Sequence, residues 1–293
     1  MKIFKGCGTA LVTPFTDGEV DYEAYAVLLE RQIEAGVDFL VPLATTAETP
    51  TLSAEEKVAL LKLTRGLAGS LPLIVGCGSN SVDATLQNMA LLEPCGVDAW
   101  LVVVPFYNKP TQEGMYRYYK AIASSTPKPV VIYNVPGRTG ANMTPATCLR
   151  LARDIENIVA IKEASGNLDQ VRDILAGAPE DFSVLSGDDD LTFRMMQSGA
   201  DGVISVASNI APAEVRAMTS AALEGRFDDA GAMDSRLQPL FRNCFVESNP
   251  IPVKAGLSML GLCSAEVRLP LSAAAPFTYE AMKAAMAPLG LTV

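Results

Sequence analysis

Short apolar runs alternate along this chain with longer amphipathic stretches. Eight runs read as strands: Gly8–Val12, Phe39–Leu43, Leu73–Gly76, Trp100–Val104, Val130–Asn134, Val159–Lys162, Phe182–Ser186 and Gly202–Val206. They are short, β-branched and bounded by turn residues, as parallel strands buried on both faces must be. The stretches between them carry helical spacing. Asp21 is placed to cap a helix with Tyr22, Tyr25, Leu28, Leu29 and Ile33 on one side. Ser53-Ala54-Glu55-Glu56 spells a capping box, opening a helix with Leu60, Leu63 and Leu67 in line.

Three helix-to-strand joins share a spelling: Gly36-Val37-Asp38, Gly96-Val97-Asp98 and Gly199-Ala200-Asp201. Glycine there supplies the left-handed position that ends a helix. Recurring units of this kind predict an α/β chain, and eight strands by residue 206 suit a closed (β/α)8 (TIM) barrel better than an open sheet. The barrel is expected over residues 1–224. Residues 225–293 read as a C-terminal helical extension packed on it, in three segments, with Asn249-Pro250-Ile251-Pro252 separating the first two.

Composition narrows the function. The chain has 293 residues, 49% apolar and 19% charged, with a net charge of −10. That acidity argues against nucleic-acid and anionic-membrane partners, both of which attract basic surfaces. The start, Met1-Lys2-Ile3-Phe4-Lys5, has no signal-peptide pattern, and no apolar run is long enough to cross a bilayer. Six scattered cysteines without a C-x-x-C pair read as thiols in a reducing cytosol, not as a zinc or disulfide framework. Histidine is absent, which removes Ser-His-Asp and Cys-His catalysis and the commonest metal ligand. Gly76-Cys77-Gly78 lacks the third glycine of a dinucleotide loop, so no cofactor or metal is expected.

Reacting residues of such a barrel sit where its strands end. Those ends carry Thr45-Thr46, Phe106-Tyr107-Asn108, Tyr133-Asn134 leading to Arg138, Lys162-Glu163, and Gly187-Asp188. Lys162 closes Ile158-Val159-Ala160-Ile161-Lys162, and strict alternation puts Ile158, Ala160 and Lys162 on one face. If that face is the barrel interior, burial favours an uncharged amine, the form that attacks a ketone. The plain alternative is a lysine paired with a carboxylate at a barrel end. Tyr133 can point its hydroxyl at the same place and shuttle protons, or simply fill the barrel. Arg138 on its glycine-flanked loop can grip a carboxylate or form a surface ion pair. Thr45 and Thr46 can equally be turn hydroxyls. Asp188-Asp189-Asp190 reads as a solvated helix N-terminus.

Several ordered stretches resemble the dihydrodipicolinate synthase and N-acetylneuraminate lyase family along the whole chain. They are Thr9-Ala10-Leu11-Val12-Thr13-Pro14-Phe15, Thr45-Thr46, Pro105-Phe106-Tyr107-Asn108-Lys109-Pro110, Tyr133-Asn134-Val135-Pro136-Gly137-Arg138-Thr139-Gly140, Ile161-Lys162-Glu163-Ala164-Ser165-Gly166 and Asn249-Pro250-Ile251-Pro252-Val253-Lys254. Tyr107-Asn108 with Arg138 resembles the dihydrodipicolinate synthase branch. The resemblance implies a Schiff base between Lys162 and pyruvate, then condensation with L-aspartate 4-semialdehyde in lysine and diaminopimelate biosynthesis. It implies a proton relay of Thr45, Tyr107 and Tyr133, with Tyr107 reaching across a subunit interface. Thr46 is then expected to hold the pyruvate carboxylate, Arg138 the semialdehyde carboxylate, and the Ile204 backbone to line the site. It further implies a homo-oligomer, a dimer at least and commonly a tetramer.

The chain departs from the family pattern in two places. Ala44 and Ala47 stand where the family has glycine, which costs on the order of 1 kcal/mol wherever φ must be positive. Asn80, Ala84 and Phe106 make an incomplete version of the family's lysine-feedback site, so weak or absent inhibition by lysine is expected. Two other functions stay open. One is a related pyruvate lyase acting on N-acetylneuraminate or a 2-keto-3-deoxy sugar acid, from which Arg138 discriminates. The other is a non-catalytic binding relative.

Overall fold

The computed structural model describes residues 2–291. Eight parallel strands form its centre: β1 (Gly6–Ala10), β2 (Phe39–Val41), β3 (Ile74–Gly76), β4 (Ala99–Val103), β5 (Val130–Asn134), β6 (Ile158–Glu163), β7 (Ser183–Ser186) and β8 (Gly202–Ser205). They pair in the order β2-β1-β8-β7-β6-β5-β4-β3. The two ends of that series meet at a parallel bridge between Leu40 and Leu73. Leu40 N–H donates to Pro72 O at 2.9 Å and Gly76 N–H to Pro42 O at 3.0 Å, closing the barrel. All eight expected strands are present, displaced by no more than two residues at either end.

Period-2 alternation divides the strand side chains into two layers. Val41, Leu101, Val131, Ala160, Leu185 and Ile204 fill the barrel. Leu40, Val102, Ile132, Ile161, Val184 and Val203 face the helices. The expected alternation of β6 fails at its start. Val130 pairs with Ile158 but Val131 with Ala160, leaving Val159 as the extra residue of a β-bulge. Ile158 therefore turns to the helix layer and Val159 packs on the interior cluster. Beyond the bulge the alternation recovers, so Ala160 and Lys162 keep the expected face.

The helix signals hold. Asp21 accepts from Ala24 N–H at the start of Tyr22–Glu34, and Ser53 and Glu56 form the reciprocal capping box of Ala54–Ala68. Gly36, Gly96 and Gly199 all have positive φ, at 72°, 84° and 106°. After the barrel come helices Phe227–Asn243, Ile251–Met259 and Pro276–Met286. Leu237, Phe241, Val253, Leu257 and Met282 from these helices lie in the same core as the outer faces of the strands. No helix among the described residues is long and apolar enough to cross a membrane.

Candidate active site

Tyr133 at the end of β5 is the register partner of Lys162 at the end of β6. Lys162 is 4% exposed and its Nζ lies 4.4 Å from the centroid of the Tyr133 ring. The ion-paired lysines among the described residues are Lys2, Lys128 and Lys254; Lys162 is not one of them. Room for its side chain comes from the next strand end. A Cβ on Gly187 would stand 3.0 Å from Lys162 Cε and 2.7 Å from the Ala164 Cβ. Beside it, burial pushes the Asp188 carboxyl up to about 6, with the Asp190 charge adding to the effect; the Gly166 N–H and the Lys162 charge pull the other way.

One residue further along, Asn134 and Glu163 are also register partners, on the helix-facing side. Glu163 is buried, and its carboxylate accepts from Asn134 Nδ2 at 3.0 Å, Ser165 N–H at 2.9 Å and Gln170 Nε2 at 3.2 Å. Desolvation raises its pKa, and these donors restrain the rise. The carboxylate adjacent to Lys162 in sequence is thus turned away from it and satisfied by amides.

The chain after β2 makes two 3-10 turns, Thr45–Ala47 and Thr49–Thr51. Thr46 is buried, and its Oγ1 accepts from Asn249 Nδ2 at 3.0 Å. Ala44 is extended at φ −92°, and neither Ala44 nor Ala47 has positive φ. The left-handed positions are instead their neighbours, Leu43 at φ 56° and Glu48 at φ 54°. Alanine thus carries no backbone strain at the two places where the family has glycine.

Arg138 rises on the helical turn Pro136–Thr139, which Gly140 ends at φ 68°. It is exposed, meets no carboxylate among the described residues, and donates from Nη2 to Asn249 O at 3.4 Å. A cleft of about 530 Å³ is lined by Thr45, Tyr133, Arg138, Asn249 and Phe106. Lys162, Thr46 and Ile204 do not line it. Lys162 lies against the Tyr133 ring, Thr46 next to Thr45, and Ile204 is fully buried in the barrel-interior cluster. Tyr107 also stands outside the cleft, with φ 70° and 89% of its surface exposed. The structure therefore gathers five of the seven expected residues at one barrel mouth, with Ile204 in the interior below and Tyr107 at the rim, its N–H donating to Thr139 O at 3.4 Å and its side chain exposed.

A model of the dihydrodipicolinate synthetase family matches residues 3–288. The chain belongs to that family. It is 50% identical over 282 residues to the 4-hydroxy-tetrahydrodipicolinate synthase of Phocaeicola vulgatus, covering 96% of this chain and 95% of the relative. The corresponding enzyme of Thermotoga neapolitana is 45% identical over 293 residues, covering 99% of this chain and all of the relative. The crystal structure of dihydrodipicolinate synthase from Thermotoga maritima superposes with a TM-score of 0.97 at 44% identity, covering 99% of both chains.

Two features of this family member escape sequence reasoning. Asn249, which the sequence marks as part of a chain break and a matching stretch but not as a site residue, touches both Thr46 and Arg138. The expected solvated aspartate run is also corrected: Asp189 is 1% exposed, and its Oδ2 accepts from Val206 N–H at 2.9 Å and Ala207 N–H at 3.0 Å. It braces the chain leaving β8. Phe106 lines the cleft with a ring that carries no hydrogen-bond donor.

Proposed function

We propose that this chain catalyses the 4-hydroxy-tetrahydrodipicolinate synthase reaction, condensing pyruvate with L-aspartate 4-semialdehyde through an imine on Lys162. The observation that carries the reading is a buried lysine with no ion pair among the described residues, set against a phenol at the mouth of a barrel. The Lys162 amine adds to the pyruvate ketone, and water leaves to give the imine. Loss of a methyl proton yields the enamine, whose carbon attacks the semialdehyde aldehyde. The substrate amine then attacks the imine carbon and displaces Lys162, closing the ring.

Each transfer needs a proton donor or acceptor beside Nζ, and without histidine the Tyr133 phenol fills that role. Thr45 and Tyr107 complete the relay. Thr46 and the surrounding turn receive the pyruvate carboxylate, the chain at Ile204 bounds the far side, and Arg138 receives the semialdehyde carboxylate as a bidentate guanidinium partner. Because the Tyr107 side chain stands exposed and does not line its own cleft, it supports a homo-oligomer in which it serves a neighbouring subunit, a dimer at least and a tetramer by the family's habit. The free thiols, five of six buried, suit a cytosolic protein.

The related lyase reading is separated by substrate. The enzyme is assayed for condensation of pyruvate with L-aspartate 4-semialdehyde, and for cleavage of N-acetylneuraminate and of 2-keto-3-deoxy sugar acids. Condensation is expected to dominate, because the unpaired Arg138 suits an anion better than a polyol. Faster sugar-acid cleavage would reassign the substrate.

A further inference from the structure

Glu48 closes the Thr45–Ala47 turn, donating its N–H to Thr45 O at 3.1 Å from a left-handed backbone at φ 54°. Its carboxylate is buried under the barrel mouth. Oε1 accepts from Lys254 Nζ at 2.9 Å and Oε2 from the Arg268 N–H at 2.9 Å. Both side chains of the Glu48–Lys254 pair are sealed, at 1% and 0% exposure. Lys254 also donates to Thr13 O at 2.8 Å, and its Nζ lies 4.2 Å from the Phe15 ring centroid. Burial lowers the Lys254 pKa, and the Glu48 charge opposes that fall.

A buried ion pair is a poor source of net stability, since desolvating two charges offsets most of their attraction. It does fix geometry, because both side chains are sealed and each is the other's ion-pair partner. Lys254 belongs to the helix Ile251–Met259, and Asn249, which grips Thr46, immediately precedes that helix. The same short segment therefore holds the threonine turn at two points, Thr46 through an amide and Glu48 through an ion pair. A left-handed glutamate is a costly conformation that persists only where its surroundings enforce it.

We propose that the Glu48–Lys254 pair is a positioning device, by which the C-terminal helices set the Thr45 and Thr46 hydroxyls that orient pyruvate for attack. Glu48 borders the cleft, but its carboxylate oxygens are taken up by Lys254 and the Arg268 N–H, and Lys254 does not line it. The inference deepens the proposed function and rests on its reading of Thr46 as a partner of the pyruvate carboxylate.

The test compares Lys254→Met with the double variant Glu48→Gln/Lys254→Met in the full chain, measuring kcat, both KM values and the thermal midpoint. Lys254→Met is expected to raise the pyruvate KM about tenfold, leave the semialdehyde KM within about twofold, and lower the midpoint. The double variant leaves no unpaired buried charge, so it regains the midpoint while the pyruvate KM stays raised. A pyruvate KM equal to that of the unaltered enzyme in the folded double variant overturns the proposal. Borohydride trapping with pyruvate, run in parallel, separates the two possible failures. No Lys162 adduct in the unaltered chain overturns the functional reading and this inference together. An adduct that forms with the same pyruvate dependence in the double variant overturns the inference alone.

Discussion

Tyr133 and Lys162 face each other across one register step of β5 and β6, and Asn134 and Glu163 face each other one residue on, at the opposite side of the same strands. The two pairs divide the chemistry. The outer pair satisfies a buried carboxylate with amides, and the inner pair leaves an amine beside a phenol with no ion-pair partner among the described residues. A slip of one residue between these strands would exchange the two environments, placing Glu163 in the mouth and Lys162 among the helices.

Tyr133→Phe keeps the ring against Lys162 and removes the hydroxyl proposed to carry protons to and from its amine. A fall in kcat of roughly 10²- to 10⁴-fold is expected, with the pyruvate KM little changed. Steady-state kinetics check this, and near-normal turnover would show that the phenol is only barrel filling.

Gly187→Ala places a methyl 3.0 Å from Lys162 Cε and 2.7 Å from the Ala164 Cβ. Lys162 must move to accommodate it. A fall in kcat is expected, smaller than the roughly 100-fold that a 1 Å displacement of a reacting group costs, with the circular dichroism spectrum retained. Full activity would show that the lysine has freedom the packing denies.

How far the sequence revealed the site depended on the range of the interactions involved. Lys162 and Tyr133 were legible because a strand's two-residue period is local and both residues end such runs. The Val159 bulge was not, since valine suits a regular strand as well as an irregular one. The contact of Asn249 with Thr46 spans 203 positions, and that of Asp189 with Ala207 depends on how two strand ends converge. No local pattern encodes either. The glycine-to-alanine departures at Ala44 and Ala47 invited concern about strain that the backbone places on Leu43 and Glu48 instead.

Asp188 gives a pH signature. Its carboxyl titrates at about 6 in the folded chain against 3.8 ordinarily, mainly through burial. Folded protein therefore binds that proton more tightly than unfolded protein does. The contribution to stability is full below the ordinary value and is lost as pH rises toward about 6. Asp188→Asn is expected to raise the thermal midpoint at neutral pH by a few degrees and to match the unaltered chain near pH 3.5. Midpoints measured across that range check it, and a constant difference at every pH would contradict it.

Tyr107 offers a test of assembly. If it completes a neighbour's site, Lys162→Ala and Tyr107→Phe are each nearly inactive alone. Mixed and reassembled, they form hybrids with one intact site, restoring about a quarter of normal activity for a randomly mixed dimer. No recovery from a mixture shown by native mass spectrometry to contain hybrids would place Tyr107 outside the relay.

The most direct measurement is chemical trapping. Incubation with pyruvate and sodium borohydride, followed by peptide mass mapping, is expected to leave one reduced pyruvyl adduct, on Lys162, with loss of activity in proportion to labelling. Lys162→Ala should take up none. An unlabelled Lys162 in folded protein, or an adduct on another lysine, would contradict the assignment of the nucleophile and the reaction built on it.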